Sequence, residues 1–573
     1  MNIHDNNQTG TFKPKKIFLA LLPYWDPLIP PSGIATLKGY LQQFEYEVKT
    51  DDLIVKKEFQ DLYNLYFIKM EEFVSIDNRG NFYNMGHNVL QNHMMAHINY
   101  KNEEEYKELV KIMIFEEFRT HVTDSQVVDL VKIITGIYTG LENYFLRVLE
   151  SENPDVLGLS AYKGTLPACL FVFRLAKKHF PHILTVMGGS VFSTTVTTDS
   201  PNFEILMEET KPYIDKIIIG EGEILFLKLL KGELPEAQRI FSINAMNIKG
   251  LDLSEAALPD YADFDIKLYP YMAATGSTSC PYMCSFCNTA RYWGPYRKKN
   301  IQQLLDEMIQ LYQKYGNQVF YMSDALINPI ITDMANECIR RNISLYYDCF
   351  HRVDNASCNI ENTLLWRRGG LYRVRLGVES GSQKVLDIIG KKITVEQTKA
   401  VLSALAFAGI KTTTYWVIGH PGETEEDFQK TLQLLEETKN DIFQAEPTPL
   451  EYVFSGQSHS EAWQGKRKLL YPEKYARDML LSYTYVIDGD PAWEVTLDRI
   501  YRFDKLRRKL GIPNPYSLPE HFAADERWKK LHENSVPPLL SFYNREAYIT
   551  ENKNIKLLSS LDNKREDHGD FLF

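Results

Sequence analysis

The sequence has few cysteines and no long apolar run, and each absence narrows what the protein can be. Seven cysteines in 573 residues, an odd number, do not match the disulfide framework of a secreted protein, so we expect a reducing cytoplasm. No apolar run reaches about 18 residues, so we expect no membrane-spanning helix. The first residues, MNIHDNNQTGTFKPKK, lack the apolar core of a secretion signal, and residues 1–14 are expected to be disordered.

Positive charge is scarcer than negative charge. The chain has 64 Lys and Arg against 75 Asp and Glu, which gives a net charge of -11 with His neutral. An acidic chain is poorly matched to the phosphates of nucleic acids or of an anionic membrane, so we expect no nucleic-acid and no membrane partner. A chain of 573 residues is longer than a single hydrophobic core usually supports, so we expect two or three domains.

Short apolar runs alternate with helical segments in the first part of the chain. KKIFLALLP, DVLGLSAY and ILTVMGG have the composition of strands, and SGIATLKGYLQQF and LPACLFVFRLAKKHF have helical spacing. This rhythm predicts an α/β fold with a Rossmann-like, doubly wound parallel sheet over residues 15–250. Residues 56–150 interrupt this alternation with helical patterns, which predict a helical insertion. We favour a role as a packing subdomain or a lid for this insertion over a catalytic role.

A second strand–helix series begins near residue 271, after a predicted linker at residues 251–270. Its six units, which begin with YMAATGS and include KTTTYWVIG, predict a partial (β/α)6 barrel over residues 271–445. The active site of such a barrel lies at the carboxyl ends of its strands. Residues 446–573 are aromatic and charged and predict a mainly helical C-terminal domain.

Three cysteines lie close together in the loop after the first barrel strand. Cys280, Cys284 and Cys287 form the C-x3-C-x2-C spacing of CPYMCSFC. Cysteine thiolates commonly hold iron–sulfur clusters, and a four-iron cluster normally takes four of them, so three leave one iron open to another ligand. A structural zinc site or simple packing is the alternative, although no fourth Cys or His lies nearby in the sequence.

The stretch CPYMCSFC, with Phe286 before its last cysteine, resembles the signature of the radical S-adenosylmethionine (SAM) superfamily. The resemblance implies that Cys280, Cys284 and Cys287 hold a 4Fe-4S cluster, whose open iron binds SAM, and that Phe286 lies beside the cofactor. It also implies that an electron from the reduced cluster cleaves SAM into methionine and a 5′-deoxyadenosyl radical. A donor such as flavodoxin or ferredoxin would supply that electron.

Two further strand ends correspond to cofactor-binding stretches of the same family, one closely and one with a departure. RLGVESGS is similar to the family's Glu-Ser turn, which implies that Glu379 and Ser380 help to hold the methionine and ribose parts of SAM. YMSDALINP departs from the Gly-Gly-Glu-Pro-like stretch that meets the methionine amine in relatives. Ser323 or Asp324 is expected to take that role.

WVIGHPGETEEDF resembles the G-L-P-G-E-T stretch of relatives, with His420 in place of the usual Leu. The resemblance implies SAM contacts at Gly419, His420 and Pro421. An ordinary strand-to-helix turn with an N-cap threonine explains the same residues. His351 and Arg352 follow the third barrel strand, but lone polar residues there are more often structural, so the predicted site omits them.

The first domain resembles the cobalamin-binding domain that precedes the radical barrel in one large subfamily. The features that carry the resemblance are PP-x-G at the first helix, a Ser, a Gly-Gly and a G-E-G-E at successive strand ends. The residues implied to bind cobalamin are Pro31, Gly33, Ser160, Tyr162, Gly188, Gly189, Gly220 and Glu221. Asp26 is followed by Pro27 and Leu28 instead of a histidine motif, which implies cobalt without a His ligand. A domain that has kept the fold and lost the cofactor is the alternative.

Together the resemblances imply a cobalamin-dependent radical SAM enzyme that methylates an unactivated carbon of a peptide or natural-product substrate. Rearrangement, cyclisation or oxidation without methyl transfer is the alternative within the same chemistry. A cobalamin-binding sensor without enzymatic activity is the alternative from another class. The sequence does not distinguish the substrates that this architecture accepts, since a fold does not fix a substrate.

Overall fold

The computed structural model describes residues 15–23, 28–457, 465–480 and 484–543. The predicted disordered residues 1–14 lie outside the described residues. Two parallel sheets of six strands each form the frame of the described chain, which confirms the predicted α/β class. Within these ranges no helix is both long and apolar enough to cross a lipid bilayer.

The first sheet has the strand order β2-β1-β3-β4-β5-β6, all parallel. Its strands are β1 (Lys16–Leu21), β2 (Glu47–Asp52), β3 (Val156–Ser160), β4 (Leu184–Gly188), β5 (Lys216–Ile219) and β6 (Ile240–Ser242). The strand order reverses between β1 and β3, and an open parallel sheet binds ligands at that point, beyond the carboxyl ends of its strands.

Helices join these strands, and a group of four is inserted between β2 and β3. The helices are α1 (Ser32–Gln42), α2 (Lys57–Phe73), α3 (Phe82–Asn99), α4 (Glu103–Phe118), α5 (Asp124–Glu152), α6 (Leu166–His179), α7 (Val191–Thr194), α8 (Pro201–Thr210) and α9 (Glu223–Leu230). In β1 every residue after Lys16 is buried, as expected for a strand covered on both faces.

The inserted helices α2 to α5 pack on one another and against α6. Thr123 begins the 29-residue helix α5 with a capping box, in which its side chain accepts from the Gln126 amide and the Gln126 side chain accepts from the Thr123 amide. Asn92 of α3 donates to the Tyr471 hydroxyl at 3.2 Å, which joins the insertion to the C-terminal part of the chain. The insertion therefore contacts both the first sheet's helices and the tail.

The second sheet has the order β7-β10-β11-β12-β13-β14, so neighbouring strands follow the chain. Its strands are β7 (Met272–Ala274), β10 (Val319–Met322), β11 (Tyr346–His351), β12 (Leu371–Glu379), β13 (Lys411–Ile418) and β14 (Gln444–Pro449), and β8 (Ser277–Thr278) pairs with β9 (Arg297–Lys298) beside it. The intervening helices are α10 (Thr289–Trp293), α11 (Ile301–Tyr315), α12 (Ile331–Arg340), α13 (Ile360–Arg368), α14 (Gln383–Ile388), α15 (Val395–Phe407) and α16 (Glu425–Glu437). Among the described strands β7 and β14 do not pair with each other, so the barrel is partial.

The tail is mostly helical but also contains a short antiparallel pair. Its elements are α17 (Phe454–Gln457), β15 (Arg467–Leu469), α18 (Glu473–Asp478), β16 (Tyr485–Ile487), α19 (Trp493–Lys509) and α20 (Leu518–Leu531). Helix α19 packs on β13 and β14. Helix α20 closes the amino-terminal end of the barrel, where Asp525 forms a buried ion pair with Lys411 of β13.

We expect Lys411→Met to destabilise the protein by about 3–5 kcal/mol, because the substitution leaves the buried Asp525 carboxylate without its cation. The measurement is the shift in thermal and urea unfolding midpoints. Lys57→Met is the matched control, since Lys57 pairs with Asp61 on the surface and is expected to change stability by about 0–1 kcal/mol. Equal effects of the two variants would contradict the structural role of the Lys411 pair.

Candidate cofactor and active site

The cysteine loop lies between β8 and α10, at the carboxyl end of the barrel. Cys280, Cys284 and Cys287 are half-buried and form no disulfide. In the described part of the chain no three His, Cys, Asp or Glu side chains converge as ligands of a single ion, the arrangement that zinc requires. Three cysteines that each bind a different iron of a cluster do not need such convergence, so the spacing fits a cluster better than zinc.

Arg352, which the sequence analysis omitted, lies against this loop. Its Nη1 lies 3.4 Å from Cys284 Sγ, and its guanidinium lies 4.2 Å from the centre of the Tyr282 ring. The Asn328 side chain bonds both the amide and the carbonyl of Arg352 at 2.9 Å. A fixed positive charge beside a cysteine sulfur tunes a bound cluster, so Arg352 joins the candidate site. Its neighbour His351 is buried and bonded to the Ser357 hydroxyl at 2.6 Å, which indicates a structural role.

Glu379 ends β12 with a φ of 63°, a left-handed conformation that is uncommon for a residue with a side chain. Its carboxylate forms an ion pair with Lys391, and both side chains are buried. Lys391 therefore fixes the orientation of Glu379, and the sequence analysis did not include it. The hydroxyl of Ser380 lies 3.1 Å from that of Thr431 in α16, so Ser380 holds the turn against a helix.

The Gly419 turn is held by the tail. Gly419 has a φ of 89°, and an added Cβ would lie 2.4 Å from Thr496 Oγ1 of α19, so only glycine fits this contact. Glu423 accepts from the Gly419 amide at 3.0 Å and from Arg499 of α19 at 2.9 Å. This arrangement gives Gly419 a packing reason that is independent of any cofactor.

His420 connects the same turn to the cysteine loop. Its ring is buried and lies edge-on to Phe286, with 6.2 Å between the ring centres, and burial lowers its pKa to about 3. The neutral imidazole is therefore the form present near pH 7. Pro421 follows and is half-buried. The structure thus brings the predicted residues Phe286 and His420 into contact.

Ser323 and Asp324 follow β10 and differ in their surroundings. The Asp324 carboxylate is buried and accepts from the Gly276 amide at 2.9 Å and from the Ser277 hydroxyl at 2.5 Å. Burial raises the pKa of Asp324 to about 6. Its bonds tie Gly276 and Ser277, at the start of β8, to the residue pair that follows β10, whereas Ser323 is exposed and lines the cavity described below. Of the two, Ser323 is the one that is free to meet a ligand.

One cavity of about 440 Å³ lies between the carboxyl ends of the two sheets. Seven of the eight residues predicted to bind cobalamin line it, namely Gly33, Ser160, Tyr162, Gly188, Gly189, Gly220 and Glu221. Pro31 does not line the cavity, since it is buried at the N-cap of α1. Ser277, Ser279 and Ser323 of the barrel line the opposite side, and Ser279 is the residue before Cys280.

The cavity wall on the first sheet is made of small residues. Gly189 has a φ of 108°, and an added Cβ would lie 2.3 Å from the Ala161 carbonyl oxygen, so glycine allows the wall to pass close to β3. Glu221 forms an ion pair with Arg297 and accepts from the Leu251 amide at 3.1 Å, so its carboxylate is satisfied within the protein. A roomy, largely apolar crevice at the strand ends fits a large organic cofactor such as cobalamin.

Two family models match the chain. The model described as the radical SAM superfamily matches residues 275–435, which contain the cysteine loop. The model described as the B12 binding domain matches residues 131–230, which contain the carboxyl ends of β3, β4 and β5. The two matches therefore fall on the two sides of the cavity.

Curated proteins with similar sequences include a cyclase and a radical SAM methyltransferase. An anaerobic magnesium-protoporphyrin IX monomethyl ester cyclase from Rubrivivax gelatinosus is 25% identical over 317 residues, which cover 50% of this chain and 55% of the cyclase. The cobalamin-dependent radical SAM methyltransferase TokK from Streptomyces tokunonensis is 24% identical over 324 residues, which cover 50% of this chain and 45% of TokK. The chain thus spans about half of the length of these relatives.

Solved structures share the fold. The radical SAM methyltransferase TsrM from Kitasatospora setae, with a tryptophan substrate and a SAM analogue bound, has a TM-score of 0.56 at 13% identity and covers 94% of this chain and 100% of TsrM. The cobalamin-dependent SAM radical enzyme OxsB, with aqua-cobalamin and SAM bound, has a TM-score of 0.50 at 15% identity and covers 94% of this chain and 61% of OxsB. At these identities the likeness concerns the fold.

We expect Cys284→Ala to lose most of the iron and acid-labile sulfide that the anaerobically reconstituted protein carries, because a cluster held by three thiolates has no spare ligand. Cys358→Ala is the control, since Cys358 lies outside the loop and its thiol bonds to the Asp354 carbonyl. The measurement is iron and sulfide per chain together with the absorption spectrum. Full iron content in Cys284→Ala would refute the assignment of the loop.

We expect Gly33→Leu to weaken the binding of hydroxocobalamin about tenfold or more, because the side chain would project into a cavity where now only the Tyr162 hydroxyl lies near, 3.9 Å from an added Cβ. Leucine suits helix α1, so the fold should persist. Binding is measured by absorption after gel filtration, with Gly136→Ala in helix α5 as the control. Unchanged binding in Gly33→Leu would argue against cobalamin in this cavity.

The two domain matches agree with the geometry of the site. One covers the barrel that carries the cysteine loop, and the other covers the strand ends that form the cavity's small-residue wall. Residues 275–435 therefore match a radical SAM domain and residues 131–230 match a B12-binding domain, and these two matches imply a 4Fe-4S cluster, SAM and cobalamin as the cofactors of the site.

Proposed function

We propose that the protein is a cobalamin-dependent radical SAM methyltransferase that adds a methyl group to an unactivated carbon of a peptide or natural-product substrate. The observation that carries the proposal is the single cavity shared by the B12-binding sheet and the barrel. A methyl carrier and a radical source must act on the same carbon, so their sites must open onto one space. Ser160 on one side and Ser279 on the other, next to Cys280, line that space.

The residues of the chain hold and shield the reaction. Cys280, Cys284 and Cys287 would hold the 4Fe-4S cluster, whose reducing electron cleaves SAM when both are bound. Lys391 orients Glu379 for its predicted contact with SAM. Cofactors and substrate that fill this crevice would limit the access of water and oxygen to a reactive radical. A one-electron donor such as flavodoxin or ferredoxin in a reducing cytoplasm would complete the system, and Met283, 62% exposed, leaves the outer side of the cysteine loop open to such a donor.

Radical chemistry without methyl transfer is the second candidate, because curated relatives of similar identity are named as cyclases. The two candidates differ in their products. Methyl transfer consumes one SAM for the methyl group and a second for the radical, and releases S-adenosylhomocysteine together with 5′-deoxyadenosine and methionine. Rearrangement, cyclisation or oxidation releases 5′-deoxyadenosine and methionine without S-adenosylhomocysteine.

The test uses full-length protein that has been reconstituted anaerobically with iron, sulfide and hydroxocobalamin. The reaction contains SAM with a deuterated methyl group and a chemical reductant, and mass spectrometry quantifies the two nucleoside products. We expect both S-adenosylhomocysteine and 5′-deoxyadenosine from the wild type and neither above background from Cys287→Ala. 5′-Deoxyadenosine alone would favour the second candidate, and the absence of both would favour a sensor that binds cobalamin without catalysis.

A further inference from the structure

A layer of partly exposed side chains lines the interior of the barrel below the predicted SAM residues. Tyr321, Phe350, Arg375, Tyr415 and Glu446 come from five successive strands, and the chain neighbours of each are buried. Side chains alternate between the two faces of a strand, and helices cover the outer face of this sheet. The partly exposed residues therefore face the interior of the barrel, the lumen, and their exposure shows that solvent reaches them there; we call these five the lumen layer.

Ring contacts make the lumen layer one continuous wall. The Phe350 and Tyr415 rings are nearly parallel, at 23°, with 6.0 Å between their centres. The Arg375 guanidinium lies 4.9 Å from the centre of the Tyr321 ring. Tyr415 and Glu446 are direct partners in the register of β13 and β14. A ligand in the lumen would thus meet aromatic faces and the Glu446 carboxylate together.

Arg375, the cation of the layer, is held by bonds within the protein, and it shares the Asp348 carboxylate with Arg373, so these three groups keep one net positive charge. Arg375 donates from Nε to Asp348 Oδ1 and from Nη2 to Asp348 Oδ2, both at 3.0 Å, and from Nη1 to the Tyr415 hydroxyl at 3.3 Å. Arg373, one layer deeper, donates to the same Asp348 carboxylate at 2.7 Å. These bonds fix Arg375 in place and direct its Nε, Nη1 and Nη2 atoms to groups of the protein.

Glu446 is the acid of the layer, and its carboxylate accepts no hydrogen bond from any residue in the described part of the chain. Burial raises its pKa, while Arg375 and Arg373 act in the opposite direction. Glu446 is partly exposed, so its carboxylate depends on water, and not on a protein donor, for its hydrogen bonds. A ligand that supplies N–H donors would replace that water.

Side chains of the protein close the amino-terminal end of the barrel. At the amino-terminal end of the strands, Lys411 of β13 and Asp525 of α20 form their buried ion pair, and Lys411 also bonds the Tyr372 hydroxyl at 2.5 Å. Toward the carboxyl ends, the strands of the lumen layer continue to Ser323 and Glu379. We therefore expect a ligand to enter from the carboxyl end, on the side of the predicted SAM residues.

We propose that the lumen layer is the substrate pocket and that Glu446 binds a cationic nitrogen of the substrate, an ammonium or guanidinium group, beside the rings of Tyr415 and Phe350. The inference rests on the proposed function and adds the chemical class of the substrate. A carboxylate gives a charge-assisted hydrogen bond, and aromatic faces attract a cation, so the two act on the same group. Lysine or arginine side chains, peptide amino termini and natural-product amines all carry such a nitrogen.

The first test compares three probes of similar shape on the reconstituted full-length wild type. Equilibrium dialysis measures the affinity for benzylammonium, for neutral benzyl alcohol and for anionic phenylacetate. We expect benzylammonium to bind about tenfold or more tightly than either other probe, since only the ammonium group gives the Glu446 carboxylate a charge-assisted hydrogen bond. Equal binding of the alcohol, preferential binding of phenylacetate, or no binding of benzylammonium would overturn the proposal.

The second test changes the carboxylate. Glu446→Gln is expected to abolish the preference for benzylammonium, and Glu446→Asp, which keeps the charge, is expected to retain part of it. Glu436→Gln is the matched control, because it removes the same charge from the exposed surface of α16. Unfolding midpoints check that each variant is folded, and the wild-type probe comparison decides the question if Glu446→Gln does not fold. A preference that survives in folded Glu446→Gln would refute the role of Glu446.

The experiments distinguish a failure of this inference from a failure of the proposed function. Probe binding requires no SAM cleavage, whereas the nucleoside products of the wild type are measured without the probes. A wild type that cleaves SAM but shows no cation preference would remove this inference and leave the proposed function intact. A cation preference without SAM cleavage would retain the pocket and remove the enzymatic assignment.

Discussion

The site depends on one constraint: the carboxyl ends of two parallel sheets open onto the same cavity. Parallel strands place all of their carboxyl ends on one edge, so every loop that follows a strand is available for ligand contact there. The first sheet contributes Ser160 and Gly189, and the barrel contributes Ser323 and Ser279, the residue before Cys280. Chemistry that joins two cofactors on one substrate atom needs such a shared space, because separate pockets would leave the reacting groups apart.

The tail completes the barrel at both of its ends. Helix α19 places Thr496 against Gly419 and Arg499 against Glu423, and so fixes the turn that carries His420 beside Phe286. Helix α20 seals the opposite end with the Lys411 ion pair. A partial barrel of six strands has open edges and an open floor, and these helices provide the packing that a closed barrel obtains from further strands.

The sequence predicts the features that depend on local pattern and omits those that depend on distant contacts. Buried strands read as apolar runs, so both parallel sheets were predicted, and three cysteines at fixed spacing identified the loop. The short pair β15 and β16 has no periodic signal in three-residue strands such as RKL, so it was not predicted. Arg352 and Lys391 were not predicted as site residues because only the fold brings Arg352 to Cys284, which lies 68 positions away in the chain, and Lys391 to Glu379.

The carboxylates of the site differ in whether other groups of the protein bond to them. Asp324, Glu379 and Glu423 each accept hydrogen bonds from, or pair with, groups of the protein itself, so their positions are fixed before any cofactor arrives. Such internal pairing is the preorganisation that positions a reactive cofactor without rearrangement at the moment of reaction. Glu446 departs from this pattern, since no described residue donates to it. Glu446 is partly exposed inside the barrel and lies among aromatic side chains, so its carboxylate is available to a ligand that brings an N–H donor.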